Sequence, residues 1–285
     1  LFGNGNLGVN FFFVLSGFLI TYLLIEEKIQ TGKIDVLRFW IRRVFRIWPL
    51  FYLSVAFGFF GFPVLKSFFG QTHIETANIE YYLTFLNNFD FINQGLPDAS
   101  ILGVLWSVAI EEQFYLLWPL ILFTLPIKKY WIPFSLIIIF SLIFRATTNS
   151  DLLNEIHTFS CISDMSIGAF GAWLIKKEKI KLAFQNLKRN QIILLYLLFI
   201  IIFFFRKELF FDVYFLRVIE RPFISIIFLS IILEQNFSKN SFYKMKNFKL
   251  ISKLGIITYG LYCLHFVGIL ITTTLMRKVN LLNDL

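Results

Sequence analysis

Long apolar runs separated by short charged segments dominate this chain. A bilayer core takes roughly 20 mostly apolar residues per helix, and eight stretches approach that length. The pattern therefore predicts an all-α, polytopic bundle of transmembrane helices. The predicted spans are 5–25, 47–66, 101–125, 130–147, 158–175, 190–205, 217–234 and 254–276.

Composition excludes most other classes of protein. Of the 285 residues, 57% are hydrophobic and only 16% are charged, whereas soluble domains are about a quarter charged. Soluble enzymes and nucleic-acid-binding modules are therefore poor matches, and we expect a lipid bilayer but no nucleic acid as a partner.

Cys161 and Cys263 lie far apart in apolar runs, which argues against a disulfide framework or a cysteine-based metal site. We predict no metal site.

The basic residues fall mainly into the gaps that follow odd-numbered spans. The positive-inside rule makes that side cytoplasmic, so the first span enters from outside. The net charge of +9 is then mainly a topology signal. Arg217 and Arg221 fall on the opposite side, while Arg145 lies inside a span. Nineteen of the 27 basic residues are on the cytoplasmic side: Lys28, Lys33, Arg38, Arg42, Arg43, Arg46, Lys128, Lys129, Lys176, Lys177, Lys179, Lys181, Lys188, Arg189, Lys239, Lys244, Lys246, Lys249 and Lys253.

The third span carries two adjacent carboxylates, Glu111 and Glu112. Ionisable groups inside a bilayer are costly, so they are functional candidates by default. Neighbours on a helix point about 100° apart, whereas Ser107, Glu111 and Tyr115 follow each other at i, i+4 and i+8 on one face. The alternative interpretation is a buried ion pair or a wet contact between helices.

Two further spans contain isolated ionisable groups, Asp164 in the fifth and His265 in the eighth. Arg145, near the outer end of the fourth span, could pair with Asp164, which would give both a structural role. A lone histidine on such a helix face is more often a satisfied core residue than a ligand or base.

Three arginines, Arg42, Arg43 and Arg46, precede Pro49 at the cytoplasmic mouth of the second span. Arg43 and Arg46 are separated by three positions, so one helix face can present two guanidinium groups to phosphates. The alternative is an ordinary basic anchor among lipid headgroups.

Five sequence blocks occur in the order typical of one family, and through them the chain resembles the acyltransferase-3 family of bacterial membrane O-acyltransferases. The resemblance covers almost the whole chain. The blocks are GVNFFFVLSGFLI at 8–20, RRVFRIWP at 42–49, WSVAIEEQFYLLWP at 106–119, DMSIGA at 164–169 and TYGLYCLH at 258–265.

The resemblance implies a single membrane acyltransferase domain over residues 1–285, belonging to a protein of about ten helices in the bacterial inner membrane. Such enzymes move an acyl group, usually acetyl, from cytoplasmic acyl-CoA to a hydroxyl of a cell-surface glycan or related acceptor. Acetyl-CoA would be a donor substrate, and no permanently bound cofactor is expected.

The resemblance also suggests roles for single residues. Arg43 and Arg46, with Arg42 beside them, match the R-x-x-R motif proposed to hold the CoA phosphates. Glu111 matches the acidic position of the W-S block, and Ser16 belongs to the S-G-F-L motif. The family's catalytic histidine lies on an earlier helix, so we expect this partner of Glu111 upstream of Leu1 and regard the chain as a fragment that also lacks a returning last helix.

A membrane transporter or flippase is the rival function, with Glu111, Glu112, Asp164 and His265 forming a proton or substrate path. That class predicts inverted repeats and paired broken helices, and the sequence shows neither. A structural or partner-binding membrane fragment is a third interpretation.

Overall fold

A computed structural model describes residues 5–68, 70 and 72–278 of the chain, and all regular structure in that part is helical. A π-helical turn over Phe57–Gly61 joins the second helix to the third. The α-helices are α1 (Gly5–Thr31), α2 (Val36–Ala56), α3 (Phe62–Phe68), α4 (Ile79–Leu83), α5 (Asn87–Gln94), α6 (Ser100–Gly103), α7 (Trp106–Thr124), α8 (Trp131–Thr147), α9 (Asp151–Ile156), α10 (Thr158–Leu174), α11 (Glu178–Gln185), α12 (Arg189–Phe210), α13 (Tyr214–Phe237) and α14 (Lys249–Lys278).

Within the part of the chain that the structure describes, five helical segments are long and apolar enough to cross a membrane. A sixth results if α9–α10 and α11, which meet at a bend of 99°, count as one span. The predicted class, an all-α polytopic membrane protein, is confirmed. The five segments are Gly5–Thr31, Val36–Phe68, Ser100–Thr124, Ile127–Thr147 and Lys249–Thr273.

Helix length and composition identify fewer candidate spans than the eight that the sequence predicts, although every predicted span overlaps a described helix. The spans predicted at 190–205 and 217–234 coincide with α12 and α13. Helix α12 has a non-helical backbone at Phe205, the last residue of its apolar run, so the regular helix over 189–204 is shorter than 18 residues. Helix α13 includes four charged residues that lower its hydropathy: Arg217, Glu220, Arg221 and Glu234.

The chain divides into two compact units, and the division falls inside α2 and α7. Unit 1 comprises residues 1–39 and 114–247, and unit 2 comprises residues 40–113 and 248–285.

Unit 1 is organised by the close crossing of α1 with α10. A Cβ atom at Gly17 would overlap the backbone of Met165, and one at Gly168 would overlap the backbone of Val14. Glycine at both positions therefore lets the two helices approach at backbone distance, as small residues do in membrane helix pairs. Thr21 on α1 also accepts a hydrogen bond of 2.7 Å from Trp118 Nε1 on α7.

Unit 2 is built from most of α2, the short helices α3 to α6, the first half of α7, and α14. Two carboxylates organise the segment between α3 and α6. Asp98 accepts hydrogen bonds from Lys66 and His73, at 2.6 and 2.8 Å. Glu75 accepts from the backbone N–H groups of Asp98 and Ala99, at 3.2 and 3.1 Å. Charge-assisted hydrogen bonds therefore hold this segment, together with the buried aromatic residues Tyr82 and Phe85.

Candidate functional site

The adjacent carboxylates of α7 differ in their surroundings within unit 2. Glu111 is buried, with 3% of its surface exposed. Glu112 accepts a hydrogen bond of 2.9 Å from Trp48 Nε1 through Oε2, and Arg43 attracts the same carboxylate electrostatically. The buried Oε1 of Glu112 has no hydrogen-bond partner among the described residues. Helix α2 thus brings an arginine and a tryptophan to a carboxylate that is only partly compensated.

Helix α14 supplies two tyrosines to the same unit. Tyr262 shares a hydrogen bond of 2.5 Å with Ser107 and donates to the carbonyl of Val104 at 2.9 Å. Tyr259 donates to the carbonyl of Ile47 at 3.0 Å. The blocks at 42–49, 106–119 and 258–265 are therefore joined by hydrogen bonds inside unit 2.

The three arginines of α2 have different exposures. Arg42 and Arg46 are exposed, whereas Arg43 is half-buried and interacts with Glu112. The structure therefore separates the predicted set: Arg43 belongs with the carboxylates of α7, while Arg42 and Arg46 are open to a ligand or to lipid headgroups.

Ser16 and Tyr115 meet in unit 1, where Tyr115 donates a hydrogen bond of 3.2 Å to Ser16 Oγ. Ser107, Glu111 and Tyr115, predicted to share one helix face, therefore do not form one polar group. Ser107 bonds to Tyr262 in unit 2, whereas Tyr115 bonds to Ser16 in unit 1. The unit boundary falls between Gln113 and Phe114 on α7, so one helix contributes polar groups to both units.

Asp164 forms a buried ion pair, but its partner differs from the one that the sequence suggested. Arg221 Nε donates to Asp164 Oδ2 at 2.7 Å, and Ser225 donates to Oδ1 at 2.9 Å. Arg221, assigned to an external loop by charge pattern, is instead buried in α13, with 5% exposed. The hydropathy argument missed it because an arginine that pairs with a buried carboxylate can lie inside a helical core.

Arg145, the partner considered for Asp164, is buried among backbone carbonyls and hydroxyls. Its guanidinium group donates to the carbonyls of Val218, Asn154 and Arg217 and to Ser160 Oγ, over distances of 2.8–3.1 Å. Hydrogen bonds to neutral acceptors solvate the charge here, with Glu220 4.0 Å away.

The three histidines lie in three different settings. The core role considered for His265 is wrong, because the residue is exposed and its Nδ1 lies 2.6 Å from the carbonyl oxygen of Tyr262 on the same helix. His73 bonds to Asp98, and His157 accepts from the backbone N–H of Phe159 at the start of α10. An exposed ring on a helix with few buried residues could not be recognised from an apolar run alone.

Sequence reasoning did not select Trp48, Tyr259 or Tyr262, although all three lie in the quoted blocks. Neutral aromatic residues raise no charge signal in an apolar span. Their indole N–H and hydroxyl groups require partners when buried, and that requirement was the available signal.

Comparison with known proteins identifies the class to which this fold and arrangement belong. A family model described as an acyltransferase domain matches residues 1–283. The chain belongs to this acyltransferase-3 family, and it is an integral, multi-pass membrane protein. No solved structure matches the chain.

Several relatives have names that state an activity. The chain is 43% identical to O-acetyltransferase OatA of Staphylococcus aureus over 125 residues, which cover 41% of this chain and 20% of that protein. It is 37% identical to peptidoglycan O-acetyltransferase OatA of Listeria monocytogenes over 121 residues, covering 40% and 19%. A third relative, putative peptidoglycan O-acetyltransferase YrhL of Bacillus subtilis, is 36% identical over 126 residues, covering 41% and 19%. The chain thus spans about a fifth of the length of these relatives.

Proposed function

We propose that this protein is an O-acetyltransferase of the bacterial inner membrane. It takes an acetyl or other short acyl group from cytoplasmic acyl-CoA and passes it to a hydroxyl of a cell-surface glycan. Membership of the acyltransferase-3 family supports the reaction class, and the names of the relatives support an O-acetyl product and a peptidoglycan acceptor.

The observation that carries the proposal is the convergence of three polar blocks in unit 2. Trp48 links the arginine-bearing helix α2 to Glu112, and Tyr262 links α14 to Ser107. A transporter would need a path for its substrate or proton. Here Asp164 is fully paired in unit 1 and His265 is exposed, which gives that function no support.

The exposed Arg46, with Arg42 beside it, binds the phosphates of the donor. A guanidinium group presents a planar fork of N–H donors that matches a phosphate bidentately. Both residues lie in the gap that the positive-inside rule makes cytoplasmic, where soluble acyl-CoA is found. Arg43 positions the carboxylate of Glu112, next to Glu111.

Glu111 is the carboxylate that orients the histidine base expected for the family. In the transfer, the acceptor oxygen forms a bond to the acetyl carbon while the thioester C–S bond breaks. The hydroxyl proton passes to the base, and the CoA sulfur leaves as thiolate and takes up a proton. A buried carboxylate suits this role because its charge stabilises the imidazolium that forms.

Arg46→Ala tests the donor site. We expect acetyl-CoA to bind the purified protein at least about tenfold more weakly, because charge-assisted hydrogen bonds to phosphate are lost. Arg38→Ala, an exposed arginine of the same helix, is the matched control and should bind as the parent protein does. Unchanged binding in Arg46→Ala would exclude the phosphate role.

Glu111→Gln tests the chemical step. Acetylation of the glycan should fall about a hundredfold while acetyl-CoA binding is retained. The inflection of the histidine base in the pH-rate profile of the residual activity should shift to lower pH, because glutamine carries no charge to stabilise the imidazolium. Glu80→Gln, an exposed glutamate of α4 in the same unit, provides the control. Parental turnover and an unchanged profile in Glu111→Gln would remove this residue from the mechanism.

A further inference from the structure

Unit 1 contains a polar cavity of about 260 Å³ that the proposed reaction centre does not use. It lies among the ends of α1, α8, α9, α12 and α13, and its wall includes Asn10, Asn154, Glu155 and Arg221. Asn10 and Arg221 are buried, with 4% and 5% of their surfaces exposed. A cavity of this size has room for one small polar molecule.

The charges around the cavity are already largely paired. Arg221 binds Asp164, Arg206 binds Glu220, and Arg217 binds Asp151. Each of these three guanidinium groups thus has a carboxylate of its own, while Arg145, also in the wall, is bonded to carbonyl and hydroxyl oxygens, and Lys207 is exposed. A multiply charged anion would have to compete with these carboxylates, so the wall favours a neutral ligand.

Two residues of the wall have a buried polar atom without a protein partner among the described residues. Asn154 Oδ1 is an acceptor that lacks a donor, and Arg221 Nη2 is a donor that lacks an acceptor. The amide nitrogen of Asn154 is engaged with the carbonyl of Thr148 at 3.0 Å. Because a buried polar atom without a partner is destabilising, such a wall suits a ligand with both donors and acceptors, and hydroxyl groups have both.

The position of the cavity along α8 indicates on which side of the membrane the cavity lies. Lys128 and Lys129 precede α8 and lie in a gap assigned to the cytoplasm. Arg145, in the last turn of the same helix, lines the cavity. The cavity is therefore at the opposite, external end of α8, where a cell-surface glycan is available.

We propose that this cavity binds one hydroxyl-rich sugar ring of the acceptor glycan. The proposal rests on the proposed function for the identity of the acceptor, but its chemical basis is independent: paired charges, several amide groups, and unpaired donors and acceptors in the wall. Asn154 and Glu155 bind hydroxyl groups as acceptors, and Arg221 binds a hydroxyl oxygen as a donor.

The test uses the full chain in lipid nanodiscs, with N-acetylglucosamine as the neutral probe and acetate as the anionic one. We expect saturable binding of the sugar in the millimolar range and none of acetate. Asn154→Ala and Glu155→Ala should each weaken sugar binding about tenfold, the factor for one lost hydrogen bond of about 1.4 kcal/mol. Asn186→Ala is the matched control, since this exposed residue follows α11 away from the cavity wall.

The outcomes separate this site from the proposed activity. If the sugar does not bind, or if acetate binds and Lys207→Ala in the cavity wall abolishes that binding, the saccharide site is wrong. If Asn154→Ala and Glu155→Ala transfer acetyl groups with an unchanged KM for the glycan, the site fails while the transferase function stands. If the sugar binds as expected but the parent protein transfers no acetyl group, the site stands and the proposed function fails.

Discussion

Two carboxylates, the buried Asp164 and the half-buried Glu112, show how differently the two units use charge. In unit 1, both oxygens of Asp164 are bonded, one to Arg221 and one to Ser225. In unit 2, Glu112 has one oxygen bonded to Trp48 and the other without a partner among the described residues. The first arrangement stabilises a helix pair. The second leaves one buried carboxylate oxygen uncompensated.

The difference between Asp164 and Glu112 matters energetically because both carboxylates lose contact with water when the helices pack. A charge taken out of water costs several kcal/mol unless partners and hydrogen bonds compensate it. Asp164 meets that condition and has little capacity for another ligand. Glu112 meets it only in part, because one of its oxygens lacks a donor. The following predictions change each group and its surroundings, from the largest expected effect on stability to the smallest.

Asp164→Asn should be severely destabilising, because it leaves the buried guanidinium of Arg221 without its counter-charge. Breaking a buried pair in this way costs about 3–5 kcal/mol. Thermal unfolding in detergent measures the effect, and Asp164→Asn combined with Arg221→Met should recover part of the loss. A single variant as stable as the parent would mean that this ion pair does not hold unit 1 together.

Gly168→Ala should also destabilise unit 1, by about 1–3 kcal/mol, because the added methyl group would overlap the backbone of Val14 and force α1 away from α10. Gly8→Ala is the matched control on α1, where nothing lies within 4 Å of a new Cβ, and it should be neutral or stabilising. Equal melting temperatures for the two variants would contradict the close crossing.

Glu112→Gln makes the same chemical change as Asp164→Asn but should leave the free energy of unfolding within about 1 kcal/mol of the parent value. The glutamine can still accept from Trp48, and no buried guanidinium group loses its only carboxylate. Acetyl transfer should nevertheless fall by at least about tenfold, because the neutral glutamine loses the attraction to Arg43 that positions residue 112 next to Glu111. Melting curves and glycan acetylation are measured on the same preparation. A large loss of stability with normal turnover would mean that Glu112, like Asp164, serves stability rather than acetyl transfer.

Asp98→Asn should have the smallest effect on stability, and that effect should depend on pH. Burial alone raises the pKa of the Asp98 carboxyl group, but the hydrogen bonds from Lys66, the N–H of Ile74 and His73 outweigh burial and hold the pKa below its ordinary value. The resulting stability is therefore present above about pH 4 and is lost as the pH falls through the lowered pKa. The melting temperatures of the parent and Asp98→Asn should differ at pH 7 and converge in acid; a constant difference would argue against the linkage.

The helical class and the positions of the main polar groups could be predicted from the sequence because they depend on local patterns. Apolar runs of bilayer length produced α1, α8 and α14 at nearly the predicted positions. The partners of those groups could not be predicted. Asp164 and Arg221 are 57 positions apart, and nothing in the hydropathy of α13 distinguishes an arginine that faces a carboxylate from one in a loop.

The sequence by itself determined the membrane class and the family, since hydropathy and motif order are properties of the linear chain. The orientation expected from the basic gaps stays a prediction. Only the tertiary structure decided which charges are compensated. The pairing of Asp164 with Arg221, the unpaired oxygen of Glu112 and the polar cavity of unit 1 each depend on residues from different helices. Their energies arise from burial and hydrogen-bond geometry, which exist only after those helices have packed.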